Sequence, residues 1–143
     1  MEDINNFEHQ EDRDFFLDFL RSSGISDTKE KIGVYFDFRD PKIKRSEFNA
    51  VRSEVFEQLS ARDGLICQLR LVPDCSLTKV FEVDHFIPLS TNQLNKKLRG
   101  MKGTRKSKVP AQSFGSNNIE NLLLACKRCN SYKKHRLFSR RND

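Results

Sequence analysis

The chain has 143 residues, four cysteines, no tryptophan and a formal net charge of +6. This length predicts one domain with a modest core, and no apolar run approaches the roughly twenty residues that span a bilayer. The acidic, polar N-terminus argues against a signal peptide. The sequence therefore predicts a cytoplasmic protein, in which cysteines serve as metal ligands or free thiols more often than as disulfides.

The positive charge is concentrated in the C-terminal half. Residues 85–143 carry fourteen Lys or Arg and two acids, a net of +12, whereas residues 1–84 have a net of −6. This surplus exceeds what solubility requires, and segregated positive charge is typical of a polyanion-binding surface. A solvated basic surface is the alternative.

Residues 1–61 are predicted to form a mostly helical N-terminal region, for packing or for contact with a partner or DNA. The apolar residues within 15–20 fit a short helix. Residues 32–38 indicate a strand or extended segment that a following Asp-Pro closes. Ser46 is a suitable N-cap for a helix whose apolar residues recur at helical spacing as far as about Ala61.

Residues 62–143 are predicted to form the second region of the chain. Its main elements are a strand at 80–84, a buried strand-like segment at 119–125 and a basic helix from 127 to about 138. A long basic loop, residues 91–117, separates the two strands, and loops of this length are usually functional or disordered. It contains one short predicted helix, near residues 93–99.

All four cysteines lie in two pairs, Cys67/Cys75 and Cys126/Cys129. The second pair has the two-residue spacing that lets both thiolates face one ion. The first pair is wider, and Pro73 could fold its loop back. Four thiolates predict one tetrahedral, structural Zn²⁺ site, worth on the order of 10 kcal/mol of folding free energy. Ordinary buried thiols are the alternative.

Asp84 and His85 stand side by side in a predicted strand, so their side chains point to opposite faces. A carboxylate suits Mg²⁺ or Mn²⁺, and an imidazole can act as a general base near neutral pH. Asn130 follows the second cysteine pair, and its amide oxygen is a candidate second metal ligand. The alternatives are a helix N-cap for Asn130 and a hydrogen-bonded, partly buried side chain for His85.

Together these residues follow an order that chance seldom produces, and it resembles that of the HNH endonucleases, the ββα-metal superfamily. The resemblance rests on VDHFIPLS at residues 83–90 and ENLLLACKRCNSYK at residues 120–133. It covers roughly residues 62–138 and not residues 1–61. It implies an α+β fold in which two strands and a helix hold one divalent cation beside a four-cysteine zinc site.

The resemblance also implies a role for each matching residue. His85 is similar to the general base that activates water, and Asp84 and Asn130 are similar to the ligands of the catalytic Mg²⁺ or Mn²⁺. At the position of Asn130 the family often has a His, and the chain is similar to the family's variants that have an Asn there. Asn121 is similar to the middle residue of the motif, which pins the loop that orients the base. Lys133 stands where the family often has a lysine near the phosphate.

Two basic segments are candidates for contact with DNA phosphates, through charge rather than base reading. One is the long loop, for which a disordered, solvated segment is the alternative, and the other is the last helix. The candidate residues are Lys96, Lys97, Arg99, Lys102, Arg105, Lys106, Lys108, Arg128, Lys133, Lys134 and Arg136.

The sequence therefore predicts a metal-dependent HNH endonuclease that hydrolyses phosphodiester bonds of double-stranded DNA by a one-metal mechanism, with His85 as the general base. By analogy with the family, its products carry 5′-phosphate and 3′-hydroxyl ends. Two alternatives are a zinc-braced nucleic-acid-binding module without cleavage and an RNA-directed or toxin-type nuclease. A single active site cuts one strand at a time, so cleavage of both strands would imply a homodimer.

Overall fold

The computed structural model describes residues 7–75, 79–89, 92–102, 112–133 and 137–138. The elements in chain order are α1 (Gln10–Ser22), α2 (Ile32–Tyr35), α3 (Pro41–Asp63), β1 (Phe81–His85), α4 (Asn92–Arg99), a 3-10 turn (Ile119–Asn121), β2 (Leu122–Cys126) and α5 (Lys127–Lys133). The predicted α+β class is confirmed as a mixture of helices with one small sheet. None of the helices in these ranges combines the length and apolar character that crossing a membrane requires.

The sheet consists of β1 and β2, which pair antiparallel with Phe81 opposite Cys126 and His85 opposite Leu122. All five residues of β2 are buried, whereas Asp84 is the buried residue of β1. α5 begins at the residue after β2 and packs against both strands. The result is a strand–strand–helix unit in which β1 forms an outer edge of the described sheet.

The β2 strand is apolar throughout because each of its faces meets a different set of side chains. Leu123 and Ala125 join a cluster that includes Phe16 of α1. Leu122 and Leu124 join a second cluster with residues of α3. Since alternate residues of a strand point to opposite faces, a strand covered on both sides has no place for a polar residue.

The N-terminal helices share their core with the C-terminal segments. In the first cluster, Phe16 packs against Phe114 with ring centroids 4.9 Å apart, and Phe19 of α1 stacks on Phe86 at 5.2 Å. The predicted regions 1–61 and 62–143 therefore contribute to one hydrophobic core.

The long helix α3 begins five residues before the predicted N-cap at Ser46. Asp40 caps it instead, since its carboxylate accepts a hydrogen bond from the backbone N–H of Lys42 at 2.8 Å. Pro41 occupies the first helical position, where a missing N–H costs nothing. The helix ends before Gly64, whose φ of +77° lies in the left-handed region that glycine adopts most easily.

The strand or extended segment predicted at residues 32–38 is wrong for residues 32–35 and confirmed as extended backbone at Phe36. Residues 32–35 form the short helix α2, and Phe36 is extended and makes an isolated antiparallel bridge to Gly115. A short apolar run fits a buried helical turn as well as a strand. Burial of Ile32 and Tyr35 on one side of the turn satisfies the same hydrophobic pattern.

Lys44 of α3 ties three separate segments together. Its side chain is fully buried, and Nζ donates to the backbone carbonyl oxygens of Asp37 at 2.6 Å, Gly115 at 2.7 Å and Leu89 at 3.4 Å. Burial lowers the pKa of Lys44 to about 8, so the group is still mostly protonated at neutral pH. The ammonium therefore has an N–H for each carbonyl.

Replacing Lys44 with methionine is expected to lower the free energy of unfolding by on the order of 3 kcal/mol, because buried carbonyl oxygens would lose their donor. Urea denaturation of both proteins measures the difference. Lys42→Met is the matched control, since Lys42 is exposed on the same helix and its replacement should change stability by less than about 0.5 kcal/mol. Equal losses in the two variants would contradict the proposed role of Lys44.

Candidate functional site

The four cysteines converge on one point, as the sequence predicts. Their Sγ atoms all lie within 4.8 Å of one another and all four residues are buried. The Sγ atoms of Cys75 and Cys126 are 3.7 Å apart, close to the separation of about 3.8 Å that tetrahedral bonds of 2.3 Å to zinc impose. The cluster can hold a metal ion such as zinc.

The wide spacing of the first pair has a structural explanation. The backbone turns sharply at Arg70, whose φ is +52°, and the N–H of Arg70 donates to Cys67 Sγ at 3.4 Å. Arg70 thus stands three residues after Cys67, where a second cysteine would stand in a two-residue pair. The chain continues through a turn closed by Cys75 N–H on the carbonyl of Val72 at 3.2 Å. This turn contains Pro73, as predicted, and brings Cys75 to the cluster.

The environment of these thiols favours an ionised cluster only in the presence of a cation. Burial would raise the pKa of Cys67, but backbone N–H groups directed at its sulfur outweigh burial and lower the pKa to about 7. Burial and the neighbouring thiols raise the pKa of Cys75. One thiolate is therefore tolerated, and four require a positive charge among them.

His85 is oriented by Asn117. His85 Nε2 lies 2.8 Å from Asn117 Oδ1, and Asn117 Nδ2 donates to the backbone carbonyl oxygen of Lys44 at 2.8 Å. Because that carbonyl can only accept, the amide nitrogen of Asn117 must face it and the amide oxygen must face the ring. Nε2 therefore carries the proton, and Nδ1 of the neutral ring carries the lone pair.

The surroundings of His85 keep its ring neutral. Burial lowers the pKa of His85 to about 4, and the charges of Lys133, Lys44 and Arg45 act in the same direction. Phe48 of α3 packs edge-on against the imidazole with ring centroids 5.1 Å apart. At neutral pH the ring is in the state that a general base needs.

Asp84 is buried on the other face of β1, with 8% of its surface exposed. Lys133 Nζ lies 3.1 Å from Oδ2 and 3.4 Å from Oδ1, and donates to the carbonyl oxygen of His85 at 3.1 Å. Burial raises the pKa of Asp84, and the charge of Lys133 opposes the rise. Among the described residues, Oδ2 accepts no hydrogen bond of regular geometry, and its contact with Lys133 is an ion pair. A carboxylate oxygen is also a suitable ligand for a hard divalent cation.

Asn130 shares the face of β1 on which Asp84 lies. Asn130 Nδ2 donates to Oε1 of Glu82 at 2.7 Å, one turn of α5 before the contact of Lys133 with Asp84. Glu82 and Asp84 are two residues apart in a strand and so point the same way. The bond to Glu82 uses the amide nitrogen of Asn130, which leaves its carbonyl oxygen for a metal ion.

Asn121 fixes the turn that follows His85. It is fully buried; Nδ2 donates to the carbonyl oxygens of Ser116 at 2.8 Å and Ile87 at 3.1 Å, and Oδ1 accepts from Ile87 N–H at 2.8 Å. Gly115 lies so close to this turn that a Cβ there would come within 1.9 Å of the Ile87 carbonyl oxygen. These contacts agree with a structural role for Asn121.

Two residues predicted to contact DNA are used inside the protein instead. Arg99 forms an ion pair with Asp12 of α1, with one N–O distance of 2.7 Å and 14% of its side chain exposed. Asp12 is itself buried, and a buried carboxylate needs such a partner. Lys133 is fully buried beside Asp84. Neither residue is a surface contact for a phosphate in this arrangement.

The other predicted contacts fall into two groups. Lys97, Lys102 and Arg128 are exposed, Arg128 in an ion pair with Asp74, and Lys96 is partly buried. The remaining predicted contacts lie outside the described residues, and they are Arg105, Lys106, Lys108, Lys134 and Arg136.

The sequence did not single out Asn117 or Lys44, although both support His85. An asparagine in a polar loop and a lysine in a charged helix follow no pattern that separates them from their neighbours. The one available signal is position, because Asn117 stands three residues before residues 120–133, the segment that resembles the nuclease motif.

The chain matches no protein-family model, no curated protein and no solved structure. A function for it rests on the side chains that the fold brings together: a four-thiol cluster, a buried carboxylate beside Lys133, and a neutral imidazole.

Proposed function

We propose that this protein is a metal-dependent endonuclease of the HNH type that hydrolyses phosphodiester bonds of double-stranded DNA. The observation that carries the proposal is the pairing of two adjacent residues with different environments. Asp84 presents a buried carboxylate paired with Lys133, and His85 presents a neutral ring held by Asn117. A protein that only binds nucleic acid has no need for either arrangement.

The contacts of these residues support a role for each of them. Asp84 and the carbonyl oxygen of Asn130 would hold the cation, Mg²⁺ or Mn²⁺, which when bound offsets negative charge on the phosphate and the leaving oxygen. His85 Nδ1 accepts the proton of the attacking water. Asn117 keeps the ring in position and accepts from Nε2–H, a hydrogen bond that strengthens as the ring becomes positive.

Lys133 and Asn121 hold Asp84 and the turn after His85 in position. The buried ammonium of Lys133 compensates part of the charge of Asp84 and holds the carbonyl of His85. Asn121 holds the next residues of the turn through three hydrogen bonds. Such supports matter because a displacement of about 1 Å in a reacting group can cost about 10²-fold in rate.

Cleavage of supercoiled plasmid by the purified protein is expected only with added Mg²⁺ or Mn²⁺. The first product should be the relaxed circle, because one active site cuts one strand. Agarose gel electrophoresis follows the conversion, and end-labelling should find 5′-phosphate ends. Ca²⁺ at the same concentration is the control for ionic strength. Cleavage that is as fast without a divalent cation would contradict the one-metal site.

The same preparation should be offered supercoiled DNA, branched DNA and RNA in parallel. Cleavage of DNA supports the proposal. Binding without cleavage of any substrate would identify a zinc-braced binding module, and cleavage of RNA alone would identify an RNA-directed or toxin-type nuclease.

A further inference from the structure

Helix α3, which lies outside the segments that resemble the nuclease motif, forms one side of the site around His85. Arg45, Phe48 and Arg52 are spaced three and four residues apart and so share one face of this helix. Phe48 is buried against His85, whereas both arginines are exposed. The helix therefore presents two positive charges on the face that contacts the imidazole.

Arg52 has an ordered position on that face. Its guanidinium carbon lies 5.4 Å from the centroid of the Phe48 ring, and Nη2 donates to Asn49 Oδ1 at 2.6 Å. A guanidinium above an aromatic ring is stabilised by the electrons of the ring, and it keeps its remaining N–H groups for another acceptor. Arg52 is thus a preformed donor group that contacts Phe48, and Phe48 in turn contacts His85.

Arg45 and Arg52 differ from most of the other arginines. Within the described parts of the chain, neither of them forms an ion pair with an acid. Arg39, which precedes α3, is by contrast paired with both Asp37 and Glu47. The charges of the two arginines are therefore not neutralised by the protein.

A cavity of about 360 Å³ connects Arg52 with the proposed metal ligand. It opens along the outer edge of β1, and its lining comes from α3, β1 and α5. The lining residues are Phe48, Arg52, Phe56, Phe81, Glu82, Val83 and Asn130. A nucleic-acid strand that follows this edge would have Arg52 on one side and Asn130 on the other.

We propose that α3 supplies Arg52 and Arg45 as phosphate contacts for the DNA strand that is cleaved. The inference rests on the proposed nuclease function and adds a binding wall from outside the motif. Guanidinium groups suit phosphates because they offer two parallel N–H donors. Seven residues of helix place the two arginines about 10 Å apart along the axis, which matches about three base steps of duplex DNA.

The test compares Arg52→Gln and Arg45→Gln with the wild type in binding to a short fluorescent DNA duplex over a series of salt concentrations. Buffers contain neither added Mg²⁺ or Mn²⁺ nor chelator, so that the DNA stays intact and the cysteine cluster keeps its metal. Each variant should bind more weakly, and the slope of log Kd against log salt should fall by about 0.9. Between 50 and 200 mM salt, the wild type should lose about threefold more affinity than either variant.

Arg21→Gln removes the same charge from α1, where Arg21 pairs with Asp18, and should leave the slope unchanged. Arg52→Lys keeps the charge and should retain the slope. Thermal melting confirms that each variant is folded. The inference about α3 is overturned if Arg52→Gln and Arg45→Gln behave like Arg21→Gln, even when the wild type cuts plasmid. If the wild type binds DNA and cuts none, the nuclease proposal fails, and the slopes still decide whether α3 contacts the backbone.

Discussion

Replacing His85 with alanine is expected to slow plasmid nicking by about 10²- to 10⁴-fold, the range that a general base contributes. The ring is neutral because burial lowers its pKa to about 4, and Nδ1 carries the lone pair because Asn117 accepts from Nε2–H. No other described side chain at this end of β1 combines both properties. The measurement is the initial rate of conversion of supercoiled to relaxed plasmid in Mg²⁺.

Two further variants separate the base from its support. His9→Ala changes another histidine, beside the start of α1, and should leave the rate unchanged. Asn117→Ala removes the partner that orients the ring, and a loss of about 10- to 100-fold is expected, as for other residues that orient a reacting group. If His85→Ala nicks plasmid as fast as the wild type, with unchanged metal content, His85 is not the base.

Replacing Cys75 with serine is expected to remove the bound metal and to unfold the protein at room temperature. A structural zinc site contributes on the order of 10 kcal/mol, which is comparable to the whole stability of a domain of about 5–15 kcal/mol. The four cysteines also join the loop of residues 67–75 to the end of β2 and the start of α5. Circular dichroism and elemental analysis of the purified proteins measure the fold and the metal.

Cys75→His provides the informative comparison, because a histidine nitrogen can also bind zinc. That variant should retain zinc and show a cooperative, lower melting transition. The wild type should contain one zinc per chain. A folded wild type without metal, together with a folded Cys75→Ser protein, would mean that the cluster consists of ordinary buried thiols.

The parts of the site that the sequence predicted are those that local patterns encode. The strands before His85 and before Cys126 follow from runs of apolar residues bounded by turns, and the cysteine cluster follows from two pairs of thiols that can bind one metal ion. The residues that it missed depend on distant contacts. Asn117 meets His85 across 32 positions and Lys44 across 73, and nothing in the local sequence records either contact.

Some residues predicted to contact DNA are not available for such contact, for a similar reason. Arg99 belongs to a basic loop by sequence, but its partner Asp12 lies 87 positions earlier in the chain. Charge counted along the chain treats every arginine as available, whereas the fold neutralises some of them. Arg45 and Arg52 belong to the half of the chain with a net negative charge, so the same count does not identify them as candidates for contact with DNA.

The double covering of β2 means that the strand–strand–helix unit is not modular. A fragment that began after α3 would leave Leu122 and Leu124 without the side chains of Phe48, Val55 and Leu59. It would also lack the carbonyl of Lys44 that orients Asn117. Any attempt to graft this strand–strand–helix unit onto another protein must therefore include α3 as part of the unit and not as a linker.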